Sequence, residues 1–249
     1  MIYGLYHSAA GMMTREYEQN VIANNLANAE TVGFKQEVAV LAEREPESVS
    51  GGRQGPSAVG LEALSGGLWL GQTYTDWSQG TLVETGNEMD VALDGPGFLV
   101  TEADGRVLYT RDGRLMVDDT GQVRSATDGA PMLGPSGAPV QVNPFGGKPS
   151  CDEDGRVVQD GVIVGQLAVV DFADRDALRH AGSGRFDAGE TATIPSVARV
   201  LSGKVEASSV DPVQELVGMI ETARAYEINA RMLSLQDQSA SRLINLLAR

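Results

Sequence analysis

From Leu216 onward, apolar residues recur at alternating spacings of three and four: Leu216, Met219, Ala223, Tyr226, Ala230, Leu233, Asp237, Ala240, Ile244 and Leu247. This is the spacing of a coiled-coil seam, broken only by Asp237. Just upstream, Ser209-Val210-Asp211-Pro212 offers Ser209 or Asp211 as N-cap and Pro212 as the first helical residue. The pattern predicts one helix over residues 211–249. About 38 residues at 1.5 Å per residue make a rod roughly 57 Å long, longer than a small domain is wide. Such a helix needs a partner along its length.

The other end of the chain can supply one. Leu5, Ala9, Met12, Met13, Tyr17 and Val21 recur at helical spacing, which predicts helix within residues 1–32. Ala, Gly and Met dominate, so a second helix can approach closely. The run Asn24-Asn25-Leu26-Ala27-Asn28 favours a helix end, because Asn side chains compete for backbone hydrogen bonds, and Gly33 follows as a turn residue. The two terminal helices are expected to pack together, leaving a lobe between them.

Between about 68 and 205 the periodicity changes. Short apolar runs such as Phe98-Leu99-Val100 and Gln166-Leu167-Ala168-Val169-Val170 read as strands. Asp104-Gly105, Asp112-Gly113, Thr120-Gly121 and Asp154-Gly155 read as hairpin turns, since these pairs tolerate positive φ. The expected fold is mainly β with long terminal α-helices. A discontinuous helical coiled-coil domain, 1–42 with 205–249, joins a central β-rich domain of hairpins, 68–204. Residues 43–67, rich in Glu, Pro, Ser and Gly, read as a flexible loop.

Composition sharpens this picture. Hydrophobic residues make up 42% of the 249 and aromatics only 5%, so the core must rest on aliphatic side chains. Thirty glycines suit a turn-rich chain. The net charge of −15 with no basic stripe excludes nucleic acid as an expected partner and disfavours anionic membrane surfaces. No segment is long and apolar enough to insert in a membrane. The single cysteine, Cys151, allows no intrachain disulfide, and its acidic neighbours should raise its pKa. Residues 1–15 lack a basic region followed by an unbroken apolar run. That suits either a cytoplasmic protein or one exported without a cleaved signal.

No catalytic constellation stands out. His7 and His180 lack further ligands at zinc spacing and lack a nucleophile. Asp152, Asp154 and Asp160 hint at a calcium loop, but glycine falls at the fourth position and no closing Glu follows. Asp94-Gly95-Pro96-Gly97 lacks the lysine and helix of a phosphate loop. No catalytic residue, metal or cofactor is therefore expected. Two rival classes stay open: a secreted acidic hydrolase, which would need a deep cleft with convergent acids, and a soluble coiled-coil adaptor.

Three segments carry a resemblance. They are the run Val21–Lys35 (VIANNLANAETVGFK); the run Thr85–Phe98 (TGNEMDVALDGPGF) with Tyr109-Thr110-Arg111-Asp112-Gly113; and the run Val217–Asn229 (VGMIETARAYEIN). In this order they resemble the axial family of flagellar rod and hook proteins. The resemblance implies that the terminal helices form a coiled coil inside a tubular assembly, with β domains outside. It implies that subunits pass unfolded through the flagellar type III export apparatus without a cleaved signal. They then polymerise into the periplasm-spanning rod that transmits motor torque. The implied partners are other rod and hook-basal body subunits and further copies of the chain. Candidate assembly residues are Leu5, Ala9, Met12, Asn24, Asn25, Leu26, Asn28, Gly33 and Phe34, with Leu216, Met219, Ala223, Tyr226, Ala230, Leu233, Ile244 and Leu247. Pro131-Met132-Leu133-Gly134 and the run Leu201–Ser208 (LSGKVEAS) are most similar to the proximal-rod subunit adjoining the distal rod. Leu41-Ala42-Glu43-Arg44 departs from the distal-rod pattern, whereas Arg224-Ala225-Tyr226-Glu227 is closer to it. A distal-rod or hook-basal body protein remains the alternative within the family.

Overall fold

The computed structural model describes residues 2–43 and 68–247. Contacts divide the chain into two units. The first comprises Met1–Ala27, Glu37–Tyr74 and Asp211–Arg249; the second comprises Asn28–Gln36 and Thr75–Val210. The loop expected over 43–67 falls, apart from Glu43, outside the described residues.

The first unit is built on two helices, α1 (Ile2–Ala27) and α2 (Pro212–Leu247). Asp211 caps α2: its Oδ1 accepts from the amides of Val213 at 2.9 Å and Gln214 at 3.3 Å. Pro212 follows at a position where the missing N–H costs nothing. Ser209, the other candidate cap, bonds elsewhere. Helix α1 stops at Ala27, short of residue 32, and the chain turns; the Thr31 amide donates to Asn28 O at 3.0 Å and Gly33 has φ of 70°. The unit also holds β1 (Glu37–Val38), β2 (Leu41–Glu43) and β3 (Leu68–Leu70), with β2 and β3 antiparallel.

The helices pack antiparallel in one register. Asn25 meets Glu215, Ile22 lies over Gly218, Asn229 over Gly11 and Gln236 over Gly4. A β-carbon at Gly11 would stand 3.0 Å from Asn229 Nδ2, and one at Gly4 2.8 Å from Gln236 Nε2. Glycine is thus what admits these amide side chains. Thr14 and Thr222 are buried with their hydroxyls bonded to the carbonyls of Ala10 and Gly218, four residues back on their own helices, at 2.8 and 2.7 Å. The contact face of α2 therefore runs through Glu215, Gly218, Thr222, Asn229 and Gln236. It is centred one residue before the apolar seam expected from the spacing. Glycines on both helices make room for Asn229, Gln236 and Ile22, and the seam residues Met219, Ala223, Tyr226, Ala230 and Leu233 are half-buried beside this face.

β4 (Tyr74–Thr75) leads into the second unit. There follow β5 (Leu82–Glu84), β6 (Val91–Asp94), β7 (Phe98–Ala103), β8 (Arg106–Thr110), β9 (Leu115–Val117) and β10 (Val123–Ser125). Next come β11 (Ser150–Cys151), β12 (Arg156–Gln159), β13 (Val162–Gln166), β14 (Val169–Phe172) and β15 (Arg179–Gly182). The last are β16 (Arg185–Asp187), β17 (Thr193–Pro195), β18 (Arg199–Ser202) and β19 (Lys204–Glu206). The main sheet is antiparallel in the order β15-β16-β8-β7-β14-β17. Smaller sheets pair β18 with β6, β19 with β5, β10 with β9, and β11-β12-β13. The Gln166–Val170 run, expected as one strand, is divided: Gln166 ends β13 and Val169 opens β14.

The core divides by side-chain type. The larger cluster is aliphatic, with Val91, Leu93, Leu99, Val123, Met132, Val157, Leu167 and Val200. A second cluster collects Phe98, Phe172 and Phe186, with Trp77 and Tyr109 packed against them. These five rings meet one another at steep angles, as in the edge-to-face contact of Trp77 on Phe98 at 5.4 Å.

Turn chemistry follows expectation in part. Asp104-Gly105 joins β7 to β8 with φ of 53° and 72°, both positive as a two-residue hairpin requires. Asp160-Gly161 and Ser183-Gly184 do the same for β12–β13 and β15–β16, although neither pair stood out in the sequence. Asp112-Gly113 is not a hairpin turn. The Asp112 carboxylate bonds forward to the Arg114 amide at 3.1 Å, and Gly113 lies against the Val91 backbone, where any β-carbon would collide.

Candidate functional site

The candidate assembly residues occupy distinct surroundings. Leu5, Ala9, Met12, Leu26, Met219, Ala223, Tyr226, Ala230 and Leu233 are half-buried in the first unit, and Asn24 and Leu216 are exposed. The side chains of Ile244 and Leu247 lie outside the described residues. Asn25 is buried and does what a helix-end Asn was expected to do. Its Oδ1 accepts from the Glu37 amide at 3.0 Å while its Nδ2 donates to Glu37 O at 2.8 Å. The same Nδ2 donates to Glu215 Oε1 at 3.3 Å, tying the end of α1 to the first turn of α2. Asn28 Oδ1 accepts from the Thr31 hydroxyl at 3.1 Å. Gly33 and Phe34 are buried in the second unit.

Because the α1 contact uses the small, polar face of α2, large apolar side chains are left outside it. Val213, Leu216, Val217, Ile220, Ile228, Met232 and Leu235 are exposed, as are Tyr6 and Met13 on α1. Those on α2 again recur at helical spacing, and so form a second apolar face that is exposed among the described residues.

The second unit contains a cluster that sequence reasoning missed. Lys35 and Glu206 have side chains 1% exposed, and Arg111 is 5% exposed. Glu206 Oε1 accepts from Lys35 Nζ and from the Gly80 amide at 2.9 Å; Oε2 accepts from Arg111 Nη1 at 3.0 Å. Lys35 Nζ also donates to Ser78 O at 2.7 Å. Arg111 Nη2 donates to Gly95 O at 2.9 Å, and the guanidinium lies 5.4 Å from the Phe98 ring centroid. Burial lowers the pKa of both cations against the opposing pull of Glu206. Each of the three residues falls in a stretch already singled out for resemblance, but nothing in their spacing says that they meet.

Residues weighed for chemistry are engaged structurally. His180 packs on Phe186 at 4.5 Å, in a different unit from His7 on α1. Asp152 Oδ1 accepts from the amides of Asp154 and Arg156, at 3.0 and 2.8 Å, and Asp160 Oδ2 from that of Gly147 at 3.0 Å. These acids brace turns. The Cys151 thiol is buried and its pKa is pushed up to about 12, first by burial and then by Asp152. A groove of about 730 Å³ on the second unit is lined by Val100, Tyr109, Leu133, Val170 and Val197, among others. Of its two acids, Asp154 is paired with Arg156 at 2.9 Å.

The described residues thus form two terminal helices with an exposed apolar face and a β unit that holds a buried charge cluster. Residues 5–35 match the family described as flagella basal body rod protein. Residues 201–246 match the C-terminal region of flagellar basal body rod FlgEFG proteins. The chain is 31% identical to the flagellar basal-body rod protein FlgG of Buchnera aphidicola, over 99% of this chain and all of that one. It is 31% identical to FlgF of Mesorhizobium japonicum over 98% and 97% of the two chains, and 32% identical to FlgF of Caulobacter vibrioides over 92% and 91%. The chain belongs to the flagellar basal-body rod protein family, and is a structural component of the flagellar basal body.

Proposed function

We propose that this subunit polymerises through its terminal helices, which form a coiled coil in the assembled rod, and that the exposed face of α2 is the principal contact with neighbouring copies and other rod subunits. The observation that carries this reading is the apolar face of Val213, Leu216, Val217, Ile220, Ile228, Met232 and Leu235, left bare while α1 takes the small face. At about 25 cal/mol per Å², completing the burial of seven half-exposed side chains contributes on the order of 5–10 kcal/mol per copy. The candidate seam residues Met219, Ala223, Tyr226, Ala230 and Leu233 lie between the two faces and serve both. The polymer transmits torque and catalyses nothing. The subunit reaches the growing tip through the type III export apparatus. Its place is the proximal rod next to the distal rod, a position that rests on the Pro131–Gly134 and Leu201–Ser208 runs, since identity to FlgF and FlgG relatives is equal.

The test is complementation of a strain lacking the chromosomal copy with Ile220→Asp and Ile228→Asp. Secreted protein with a folded β unit but no swimming, and basal bodies with truncated rods, is the expected result. Swimming at the normal rate with both aspartates present would overturn the assignment.

A further inference from the structure

The two segments that connect the second unit to the terminal helices are residues 28–36, which continue from α1, and 206–210, which continue into α2. They are zipped together inside that unit. The Gly33 amide donates to Glu206 O at 2.7 Å, the Ser209 amide to Phe34 O at 3.1 Å, and the Gln36 amide to Ser209 Oγ at 2.9 Å. Lys35 and Glu206 sit within this zipper, and their side chains turn into the unit to meet Arg111, Ser78 and Gly80. Among the described ion pairs, only those of Glu206 have both partners almost wholly buried.

Such a cluster is a poor device for stability alone. Desolvating each ion costs several kcal/mol, and apolar replacement of a whole buried cluster is often neutral or favourable. Here two cations share one carboxylate, Arg111 Nε is buried without a partner, and the excess charge is one positive. What the arrangement supplies is geometry. Each Glu206 oxygen has its own set of donors, so a slip of either connecting segment by one residue would strand a buried charge.

We propose that Lys35, Arg111 and Glu206 are positioning residues for assembly: a buried clasp that fixes, side by side, the two points at which the β unit hands the chain to α1 and α2. The inference rests on the assembly reading above, because fixed departure points matter only if the helices must enter a lattice. The clasp holds the segments in the free subunit, before any neighbour is present.

The first measurement is amide hydrogen exchange on the wild-type full chain. The amides of Gly33, Gln36, Ser209 and Gly80 are expected to exchange as slowly as those of β7 and β8, through opening of the whole unit. Exchange more than tenfold faster than in those strands would overturn the clasp. The second uses Glu206→Gln and the apolar triple Lys35→Met, Arg111→Met, Glu206→Leu in the full chain. In whichever folds, exchange at the four amides should rise at least tenfold relative to β7 and β8, and complementation should give impaired swimming. Unchanged exchange, or faster exchange with normal swimming, refutes the positioning role. If neither variant folds, the wild-type rates decide. Because those rates are measured on the free subunit, failure of the clasp and failure of the assembly reading, tested at Ile220 and Ile228, are separate results.

Discussion

Replacing Gly33 by Ala tests how tightly the connecting segment is seated. Two costs should add. The residue has φ of 70°, where an L side chain costs about 1–2 kcal/mol. Its added β-carbon would also lie within 2.6 Å of Arg111 O and Asp112 N, both backbone atoms that cannot rotate away. Gly105 is the internal control: its φ is 72° and nothing stands within 4 Å of the added carbon. Gly105→Ala should therefore cost only the conformational term, about 1 kcal/mol. Overpacking adds typically 1–3 kcal/mol, so Gly33→Ala should cost about 3 kcal/mol or more. For a unit of this size 1 kcal/mol is about 2–4 °C, so the two variants should differ by at least about 4 °C in Tm. The assay is thermal unfolding followed by Trp77 emission in a Trp69→Phe background. Trp77 packs on Phe98 and Phe186, at 5.4 and 4.9 Å, and so reports the second unit. Equal losses for the two variants would refute the claim that the Arg111–Asp112 backbone is rigidly held against Gly33.

Asp211→Ala removes the acceptor of two amides at the start of α2 and should cost about 1 kcal/mol. Exchange at Val213 and Gln214 should accelerate, and unchanged rates would show that the cap is dispensable. Cys151 should resist thiol reagents at pH 8 until the protein is unfolded; fast labelling of folded protein would contradict its burial. Its pKa, raised in the fold to about 12 from about 9, favours the folded state below pH 9, and that contribution fades as pH rises towards 12. Cys151→Ala should flatten this part of the stability profile while lowering stability at neutral pH through the cavity it leaves. Asp171 has its pKa depressed, chiefly by hydrogen bonds from Arg175, so it stabilises the fold above its unfolded pKa and ceases to as pH falls through the folded value. Asp171→Asn should therefore reduce the loss of stability below about pH 4, as read by urea midpoints across pH.

The elements that the sequence made legible were those whose signals are local. Asp211-Pro212 marks a helix start through its own side chain and ring, and Asp104-Gly105 marks a hairpin through its own φ preference. Asp112-Gly113 has the same letters but a different cause. There the Thr110 hydroxyl accepts from the Asp112 amide, Asp112 holds the Arg114 amide, and the glycine serves a close approach to Val91. Only the tertiary partner distinguishes the two uses. The buried cluster was invisible for a related reason: Lys35 and Glu206 are 171 residues apart, and Arg111 and Glu206 are 95 apart. The helix seam is the most instructive case. Hydrophobic spacing reports every apolar face a helix carries, without saying which is covered by its own chain. In α2 a face towards α1 runs through Glu215, Gly218, Thr222, Asn229 and Gln236, which periodicity does not register because none of these residues is strongly apolar; Gly4 and Gly11 on α1 make room for Gln236 and Asn229. The large apolar residues lie elsewhere on the helix. Of the half-buried seam residues, Met219, Ala223 and Ala230 lie one residue on from Gly218, Thr222 and Asn229, and that offset is expected if the apolar pattern also serves the partners proposed above.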